Sequence, residues 1–567
     1  MKIRYSIARL FIAGLYLFVV AAGLFFNTEL LSINAANKNS SDDSQKKIAT
    51  LVDSKGHFIV YEKPKYEAWL DIEFMKRQKK YAALITKLQT RFLYSEIENK
   101  KYICWGTYET LELAKKDLGE LYKFANIHRS AERVYNNLFS LNLMIGKYDQ
   151  TTYGIEKYLY NKGMLSGKDR VTVTLDMVLQ KIAYEEIKRV KDALSAEGAI
   201  AIVMETASGK IRASAAVYPW NLGFMGYIEP GSTFKPLIYA LAIDEKISNP
   251  YESILCERTY QPVQDVSYKM KEAENEDFGL IDIKEALSKS SNIAVAKTMK
   301  KIMNVFDENW LYQKLLNMGL GEKTGVEFEG EISGALAQPD KWYKIMPFQI
   351  AIGQGIGVTP IQLVSAFNIL VNSGNYVKPT FVEETEIIPK RVFTQETSKL
   401  LVDWMKYTTL TGTARLAYKE GIAIGGKTGT AQKALAEVGY ASEKYYALFA
   451  GFYPVTDPKY TIVVIIDDPK GEKYYGGEVA APIATNIFYR YFKETDAGHE
   501  SAGSLFREVI PDLTGQDVQE AVYILNALGI PSDKIIISGS GKKVISQEPS
   551  QALFISDIQF IQLFVGE

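Results

Sequence analysis

The chain has 567 residues, of which 47% are hydrophobic and 23% charged, a composition typical of a globular protein with sizeable cores. At about 150 residues per domain, this length predicts three or four domains. The formal net charge of −1 excludes the global basic field that a nucleic-acid-binding protein carries, so we expect no nucleic acid partner.

The N-terminal segment predicts a membrane anchor. An uncharged apolar run covers residues 10–26. Such a run is near the short end of the ~20 residues that cross a bilayer. Positive residues precede it: Lys2, Arg4 and Arg9. We therefore predict that residues 1–31 form a short cytoplasmic tail and a single-pass anchor, with the rest of the chain extracytoplasmic. A cleaved signal peptide is the alternative, but the apolar run continues past the small residues 21–23.

The next part of the chain carries no catalytic constellation. Residues 32–48 are polar and predict a solvated linker. Residues 49–185 mix strand-like and helical patterns and predict an N-terminal non-catalytic domain. Within it the run "LELAKKDLGELYKFA" (111–125) repeats its apolar residues at helical spacing, which predicts one amphipathic helix.

A larger domain is predicted over residues 186–494. Two strand–turn–strand patterns, at 198–219 and 445–469, flank a mostly helical region at 232–415, and a helical pattern follows near 480–493. This order predicts an α+β domain in which one sheet is assembled from distant parts of the sequence, with helices packed on it.

The C-terminal part predicts a small separate unit. Residues 495–507 are a second polar linker, and residues 508–567 contain one amphipathic helical pattern, "GQDVQEAVYILNALGI", and strand-like runs "KIIIS" and "IQFIQLFV". A small domain of mixed α and β structure is expected here.

The cysteines and histidines exclude several site types. Cys104 and Cys256 are the only cysteines, too few for a disulfide framework or a four-ligand zinc site. The only histidines, His57, His128 and His499, are scattered. We therefore expect catalysis without imidazole and without a metal or cofactor.

Two polar motifs of the large domain are candidates for catalysis. In "PGSTFKPLIYALAI" Ser232 and Lys235 stand three residues apart at the start of a helical pattern, so both side chains can share a face. In "ALSKSSNIAVAK" Ser290 and Asn292 lie where one helical run stops and another starts. Other copies of S-x-x-K, such as Ser540 to Lys543, lie in linker-like or Gly/Ser-rich contexts.

The stretch "GIAIGGKTGTAQ" (421–432) has two incompatible interpretations. It satisfies the phosphate-loop pattern G-x-x-x-x-G-K-[ST], and "TIVVIIDD" (461–468) could then hold a magnesium ion. Alternatively, Lys427 belongs to a K-T-G motif that serves an acyl-enzyme. The predicted extracytoplasmic placement disfavours a nucleotide, and 461–468 is then a core strand.

The motifs S-x-x-K, S-x-N and K-T-G, in this order, resemble the transpeptidase domain of class B penicillin-binding proteins. The resemblance extends over residues 130–490 through the blocks "GYIEPGSTFKP", "AIGQGIGVTPIQLVSAF", "GGKTGTAQK" and "YYGGEVAAPIATNIF". The final segment resembles a PASTA domain. The region before residue 130 departs from the family, because the usual arginine-rich block is reduced to "LVDSKGHFIVYEKP". By the same resemblance, residues 49–185 would form a pedestal-like or dimerisation-like domain.

The resemblance implies a role for each motif residue. Ser232 would be the nucleophile and Lys235 its base, with Ser290 and Asn292 completing the proton path. The donor peptide would pair with the strand that carries four substrate-binding residues: Lys427, Thr428, Gly429 and Thr430. The backbone N–H groups of Ser232 and Thr430 would form the oxyanion hole.

The resemblance also implies partners and a cellular role. The chain would cross-link peptidoglycan stem peptides, with a D-Ala-D-Ala donor and an amine acceptor, and β-lactams would acylate it. It would work with a glycosyltransferase and membrane proteins of a division complex, in septal or spore wall synthesis. The alternatives on the same fold are a β-lactamase-like hydrolase and a β-lactam-binding sensor or scaffold.

Overall fold

The computed structural model describes residues 48–273, 276–417, 419, 422–435, 439–471, 473–496, 513–527, 530, 534–548 and 560–566. The predicted anchor (1–31) lies outside these residues, as does nearly all of the predicted linker (32–48). The second predicted linker (495–507) also lies largely outside them. Among the helices of the described residues, none combines the length and apolar character needed to cross a membrane.

The N-terminal part contains a five-stranded sheet. Its strands are β1 (Thr50–Val52), β2 (Phe58–Asp71), β3 (Tyr102–Tyr108), β4 (Ala125–Tyr135) and β5 (Arg170–Thr172). The sheet order is β3-β2-β1-β5, and β4 pairs with β2 along its length. Its helices are Ile72–Lys76, Tyr81–Leu88, Tyr94–Asn99, Leu111–Leu118, Leu141–Ile145 and Ile155–Asn161.

The single helix predicted over 111–125 is wrong in its second half. The α-helix ends at Leu118, because Gly119 takes φ 52° and a 3₁₀ segment, Gly119–Phe124, follows. Ala125 then begins β4. The apolar spacing continued through a change of structure, since Leu121 and Phe124 are buried in the same cluster as Leu118.

The large domain has the predicted α+β fold. Its sheet contains β6 (Gly198–Glu205), β7 (Ile211–Val217), β14 (Gly425–Leu435), β15 (Gly439–Tyr453) and β16 (Tyr460–Asp467). The antiparallel order is β14-β15-β16-β6-β7, so both predicted strand pairs meet in one sheet and β14 lies at its edge. The core-strand prediction for "TIVVIIDD" is confirmed, because every β16 residue after Tyr460 is buried.

Helices cover both the ends and the faces of this sheet. They are Met177–Ala193, Leu222–Met225, Lys235–Asp244, Ile283–Lys289, Asn292–Val305, Glu308–Asn317, Met346–Ala351, Pro360–Val371, Gln395–Thr411 and Gly476–Asp496. The sequence did not predict the short ribbons between them: β8 (Ser253–Cys256), β9 (Thr259–Tyr260), β10 (Met270–Lys271), β11 (Gly279–Asp282), β12 (Asn375–Tyr376) and β13 (Lys390–Arg391). Met177–Ala193 and Gly476–Asp496 pack their apolar residues on one sheet face and close a core there.

The C-terminal unit has its own small core. The helix Val518–Ala527 accompanies three strands, β17 (Ile535–Gly539), β18 (Lys543–Glu548) and β19 (Ile561–Gly566). β19 is central, parallel to β17 and antiparallel to β18. The sequence predicted the helix and two of the strands but not β18, whose "KVISQE" pattern is largely polar.

The chain divides into two compact units, and the described part of the first comprises residues 48, 49 and 165–169. The described part of the first unit is small. In it Ala49 donates its backbone N–H to the Leu165 carbonyl at 2.9 Å, and Ile48 pairs with Ser166.

Candidate active site

Ser232 lies in a tight turn that precedes a helix. Gly231–Phe234 is a 3₁₀ segment, and the Lys235 N–H donates to the Ser232 carbonyl as the α-helix Lys235–Asp244 begins. Side chains three residues apart eclipse each other in a 3₁₀ turn. Ser232 and Lys235 are therefore stacked on one side, with Ser232 half-buried and Lys235 fully buried.

The buried Lys235 ammonium is held by neutral oxygens. Its Nζ donates to Asn292 Oδ1 at 2.7 Å and to Ser290 Oγ at 3.1 Å, and it also donates to the Ser290 carbonyl. Burial lowers the pKa of Lys235 to about 7, and the charge of Glu272 acts in the opposite direction. A lysine with this pKa can lose its proton at neutral pH, which a general base requires.

The Ser290–Asn292 segment owes its shape to a break between helices, as predicted. The helix Ile283–Lys289 ends at Ser290, which takes the left-handed conformation with φ 61° and ψ 36°. Ser291 then caps the helix Asn292–Val305 by accepting the Ala294 N–H at 3.0 Å. The break turns the Ser290 carbonyl and hydroxyl toward Lys235, which a continuous helix would direct elsewhere.

The K-T-G residues lie within β14, a strand at the edge of the sheet, as the predicted pairing with a donor peptide requires. Lys427 is fully buried, and its Nζ donates to the Thr428 carbonyl at 2.9 Å. The Thr428 hydroxyl donates to the Thr413 hydroxyl at 2.7 Å, and Thr430 Oγ1 accepts the Gly476 N–H at 3.2 Å. Hydroxyl contacts thus anchor the strand from one side.

The turn that contains Ser232 packs directly against β14. A Cβ placed on Gly429 would lie 3.0 Å from Thr233 Cγ2 and 3.1 Å from the Pro230 carbonyl. One placed on Gly231, which has φ 53°, would lie 3.2 Å from Ala431 Cβ. Small residues are required on both sides, so the sequence motifs P-G-S and K-T-G-T bring the Ser232 turn and the strand together.

The two buried ammonium groups influence each other. Burial, and then the charge of Lys235, hold the pKa of Lys427 well below its usual range. Both groups lack a carboxylate contact among the described hydrogen bonds and ion pairs. A negative charge placed next to the two lysines would therefore raise the pKa of both.

The geometry around Lys427 excludes the phosphate-loop interpretation. A phosphate loop places its lysine in a loop that opens a helix. Here Gly426, Lys427 and Thr428 are strand residues, paired with Gly451, Ala450 and Phe449 of β15.

Sequence reasoning missed the residues that support the motifs. Thr409 donates to the Ile424 carbonyl at 2.8 Å, and Thr408 donates to that of Gly426, so the end of the helix Gln395–Thr411 holds the entry to β14. The run "TTLTGT", dense in small hydroxyl side chains, is the signal that could have found them. Glu272, which contacts the segment around Asn292, gave no sequence signal.

Comparison with known proteins matches this fold and these motifs. The family model described as the penicillin binding protein transpeptidase domain matches residues 199–489. The chain belongs to the penicillin-binding protein transpeptidase family. A PASTA domain model matches residues 508–566. All eight predicted site residues of this penicillin-binding protein lie within the first match.

Curated relatives agree with this family. The chain is 27% identical over 432 residues to stage V sporulation protein D of Bacillus subtilis, covering 70% of this chain and 65% of that protein. It is 30% identical over 349 residues to the peptidoglycan D,D-transpeptidase FtsI of Buchnera aphidicola, covering 58% and 59%. The chain therefore spans less than two thirds of the length of these relatives.

Solved structures share the penicillin-binding protein fold. The TP domain of Burkholderia pseudomallei penicillin-binding protein 3 has a TM-score of 0.52 and 25% identity, covering 56% of this chain and 95% of that one. Penicillin-binding protein 3 of Mycobacterium tuberculosis has a TM-score of 0.57 at 23% identity, covering 65% and 91%. The second likeness concerns the fold alone.

Proposed function

We propose that this protein is a peptidoglycan D,D-transpeptidase that works through a Ser232 acyl-enzyme. The observation that carries the proposal is the buried Lys235 ammonium, held by Ser290 and Asn292 at the end of the 3₁₀ turn that contains Ser232. A serine hydroxyl is a poor nucleophile until a base takes its proton. A lysine with a pKa lowered to about 7 can do so at neutral pH.

In the acylation step the neutral Lys235 amine accepts the Ser232 proton as Oγ attacks the carbonyl carbon of the penultimate D-Ala. The C–N bond to the terminal D-Ala breaks, and the leaving amine receives a proton through Lys235 and Ser290. Backbone N–H groups of Ser232 and Thr430 would stabilise the oxyanion. Loss of one such donor costs ~3 kcal/mol in other enzymes.

In the second step an amine of a neighbouring stem peptide attacks the ester carbonyl. The attacking amine loses a proton to Lys235, the bond from that carbonyl to Ser232 Oγ breaks, and Oγ takes up the proton from Lys235. The products of the two steps are the peptide cross-link and one free D-Ala.

The strand β14 would hold the donor peptide. An edge strand has unpaired backbone groups that an extended peptide can complete. The donor's terminal carboxylate would contact Lys427 and Thr428. Its negative charge would raise the pKa of Lys427, which burial and Lys235 lower, so that Lys427 would be protonated when the donor binds.

The setting of the reaction is part of the proposal. We infer a single-pass anchor within residues 1–31, a cytoplasmic N-terminus and an extracytoplasmic catalytic domain, because positive residues precede the apolar run. The relative named for sporulation supports a role in spore wall synthesis. A septal role, a partner glycosyltransferase and division-complex proteins rest on the family resemblance of the sequence and are proposed with it.

Covalent labelling tests the proposal. A labelled penicillin should attach to the full chain in detergent, and Ser232→Ala should abolish the label. Ser540→Ala is the matched control, because Ser540 and Lys543 form another S-x-x-K pair, in the C-terminal unit. Persistent labelling of Ser232→Ala would place the nucleophile elsewhere. Rapid release of hydrolysed penicillin would indicate a β-lactamase, and labelling without cross-linking of peptides would indicate a sensor.

A further inference from the structure

Glu272 is a buried carboxylate next to the active site. It directly follows β10, in the connection between β10 and β11, and only 4% of its surface is exposed. A carboxylate loses much solvation free energy on burial unless hydrogen bonds replace the water. Its position is therefore explained by the donors that surround it.

These donors belong to the start of the helix that carries Asn292. Glu272 accepts the N–H of Asn292 at 2.6 Å, the N–H of Ile293 at 3.3 Å and the hydroxyl of Ser291. The first N–H groups of a helix have no partner within the helix and carry partial positive charge. Glu272 thus fixes the beginning of Asn292–Val305 in space.

The residue before Glu272 fixes the Asn292 side chain. The Lys271 carbonyl accepts the Asn292 Nδ2–H at 2.9 Å, which uses the donor side of the amide. The amide oxygen must then point the other way, toward Lys235 Nζ at 2.7 Å. Glu272 thus fixes the backbone of Asn292, and the preceding Lys271 carbonyl fixes its side chain.

Glu272 also bears on Lys235 through its charge. Burial lowers the pKa of Lys235, and the carboxylate of Glu272 raises it. The other titratable groups facing this region are the Lys427 ammonium on β14, the Tyr239 hydroxyl on the helix of Lys235, and the Cys256 thiol on β8. Among the described residues, Glu272 is the carboxylate whose charge acts on Lys235.

We propose that Glu272 is a positioning residue for acylation of Ser232, one that orients Asn292 against Lys235 and acts on this lysine through its charge. This inference rests on the proposed function, since it concerns the same reaction. It gives Glu272, which lies between β10 and β11 and outside the three sequence motifs, a role in the reaction.

The pH dependence of acylation by a labelled penicillin tests the proposal in the full chain. In wild type the rate should rise with pH through about 7, as Lys235 becomes neutral. In Glu272→Gln, loss of the negative charge should move this rise to lower pH by about one pH unit. The maximal rate should fall about tenfold, because the amide donates where the carboxylate accepted.

Two further variants separate charge from position. Glu272→Asp keeps the charge but withdraws it from Asn292, so the rise should stay at the wild-type pH while the maximal rate falls. Glu257→Gln is the matched control, because Glu257 is a carboxylate that pairs with another residue of the helix Asn292–Val305. It directly follows β8, is ion-paired with Lys297 at 2.7 Å and is about half exposed. This variant should follow the wild-type profile.

The outcomes are distinguishable. An unmoved rise in folded Glu272→Gln, or Glu272→Asp acylating at the wild-type maximal rate, would overturn the inference. If thermal unfolding shows that Glu272→Gln does not fold, the maximal rate of Glu272→Asp decides alone. Absence of labelling in wild type would instead contradict the proposed function itself.

Discussion

Two ends of strand β14 use lysine in opposite ways. At one end Lys427 is fully buried and donates to the Thr428 carbonyl, and burial and the charge of Lys235 lower its pKa. At the other end Lys433 contacts Asp467 at 2.7 Å and Glu197 at 2.8 Å. Burial alone would lower the pKa of Lys433, but these carboxylates raise it.

The difference shows that burial and the partner atoms together decide what a lysine does. Where a buried ammonium contacts only neutral oxygens, burial lowers its pKa, whereas carboxylate partners outweigh burial and hold the proton in place. Under the proposed function, one end of the strand would bind the donor carboxylate, and the ion pairs at the other end would contribute to stability.

The largest expected effect concerns Lys235, the other buried lysine of the candidate site, whose ammonium donates to neutral oxygens. Lys235→Met fills the buried space without a base, and we expect acylation by labelled penicillin to slow about 10³-fold. Lys235→Arg should lose as much, because a guanidinium stays protonated. Circular dichroism would verify folding. A Lys235→Met variant that acylates at the wild-type rate would remove the base role.

The comparison within β14 predicts a crossed result of intermediate size. Lys433→Met should lower the free energy of unfolding by about 2 kcal/mol, because it leaves the buried Asp467 without its cation, while acylation is unchanged. Lys427→Met should slow acylation and leave stability equal or higher, since it removes an unbalanced buried charge. Denaturant unfolding and acylation rates measure both. Equal stability losses in the two variants would break the comparison.

The smallest effect tests the same rule outside the strand. His57 Nδ1 lies 2.9 Å from Asp53 Oδ2, and this hydrogen bond raises the pKa of His57 against the effect of burial. The stabilisation should be complete below the usual histidine pKa of about 6.5 and decline as pH rises through the raised value.

His57→Gln should therefore lower the melting temperature more at pH 6 than at pH 8. His128→Gln, on the exposed surface of β4, is the matched control. A pH-independent difference between wild type and His57→Gln would show that the ion pair contributes nothing.

Local motifs made much of this site predictable from sequence. The Ser232–Lys235 spacing, the helix break at Ser290 and the strand of Lys427 depend on neighbours within a few residues. The first of these differs in one detail from the prediction. The sequence predicted an α-helix starting at Ser232, whereas Ser232 lies in a 3₁₀ turn and the α-helix begins at Lys235. The roles of these residues stay predictions until the labelling experiments are made.

Supporting contacts were not predictable, because they join distant residues. Glu272 lies in a connection without periodicity, and its partners around Asn292 become neighbours only through the fold. The end of the helix at Leu118 was hidden for a different reason. Leu121 and Phe124 continue to face the same core after the backbone changes from α to 3₁₀.

The order of the catalytic sheet has a consequence for biosynthesis. The Thr206 and Thr461 hydroxyls, 3.4 Å apart where β6 meets β16, are separated by 255 residues. The nucleophile turn is therefore synthesised long before the strands that complete the sheet beside it. Until β16 emerges, the apolar β6 has an unpaired edge, and such edges promote aggregation. Folding of this domain should be slow and dependent on chaperones. The contact between the Ser232 turn and β14 should be among the last features to form.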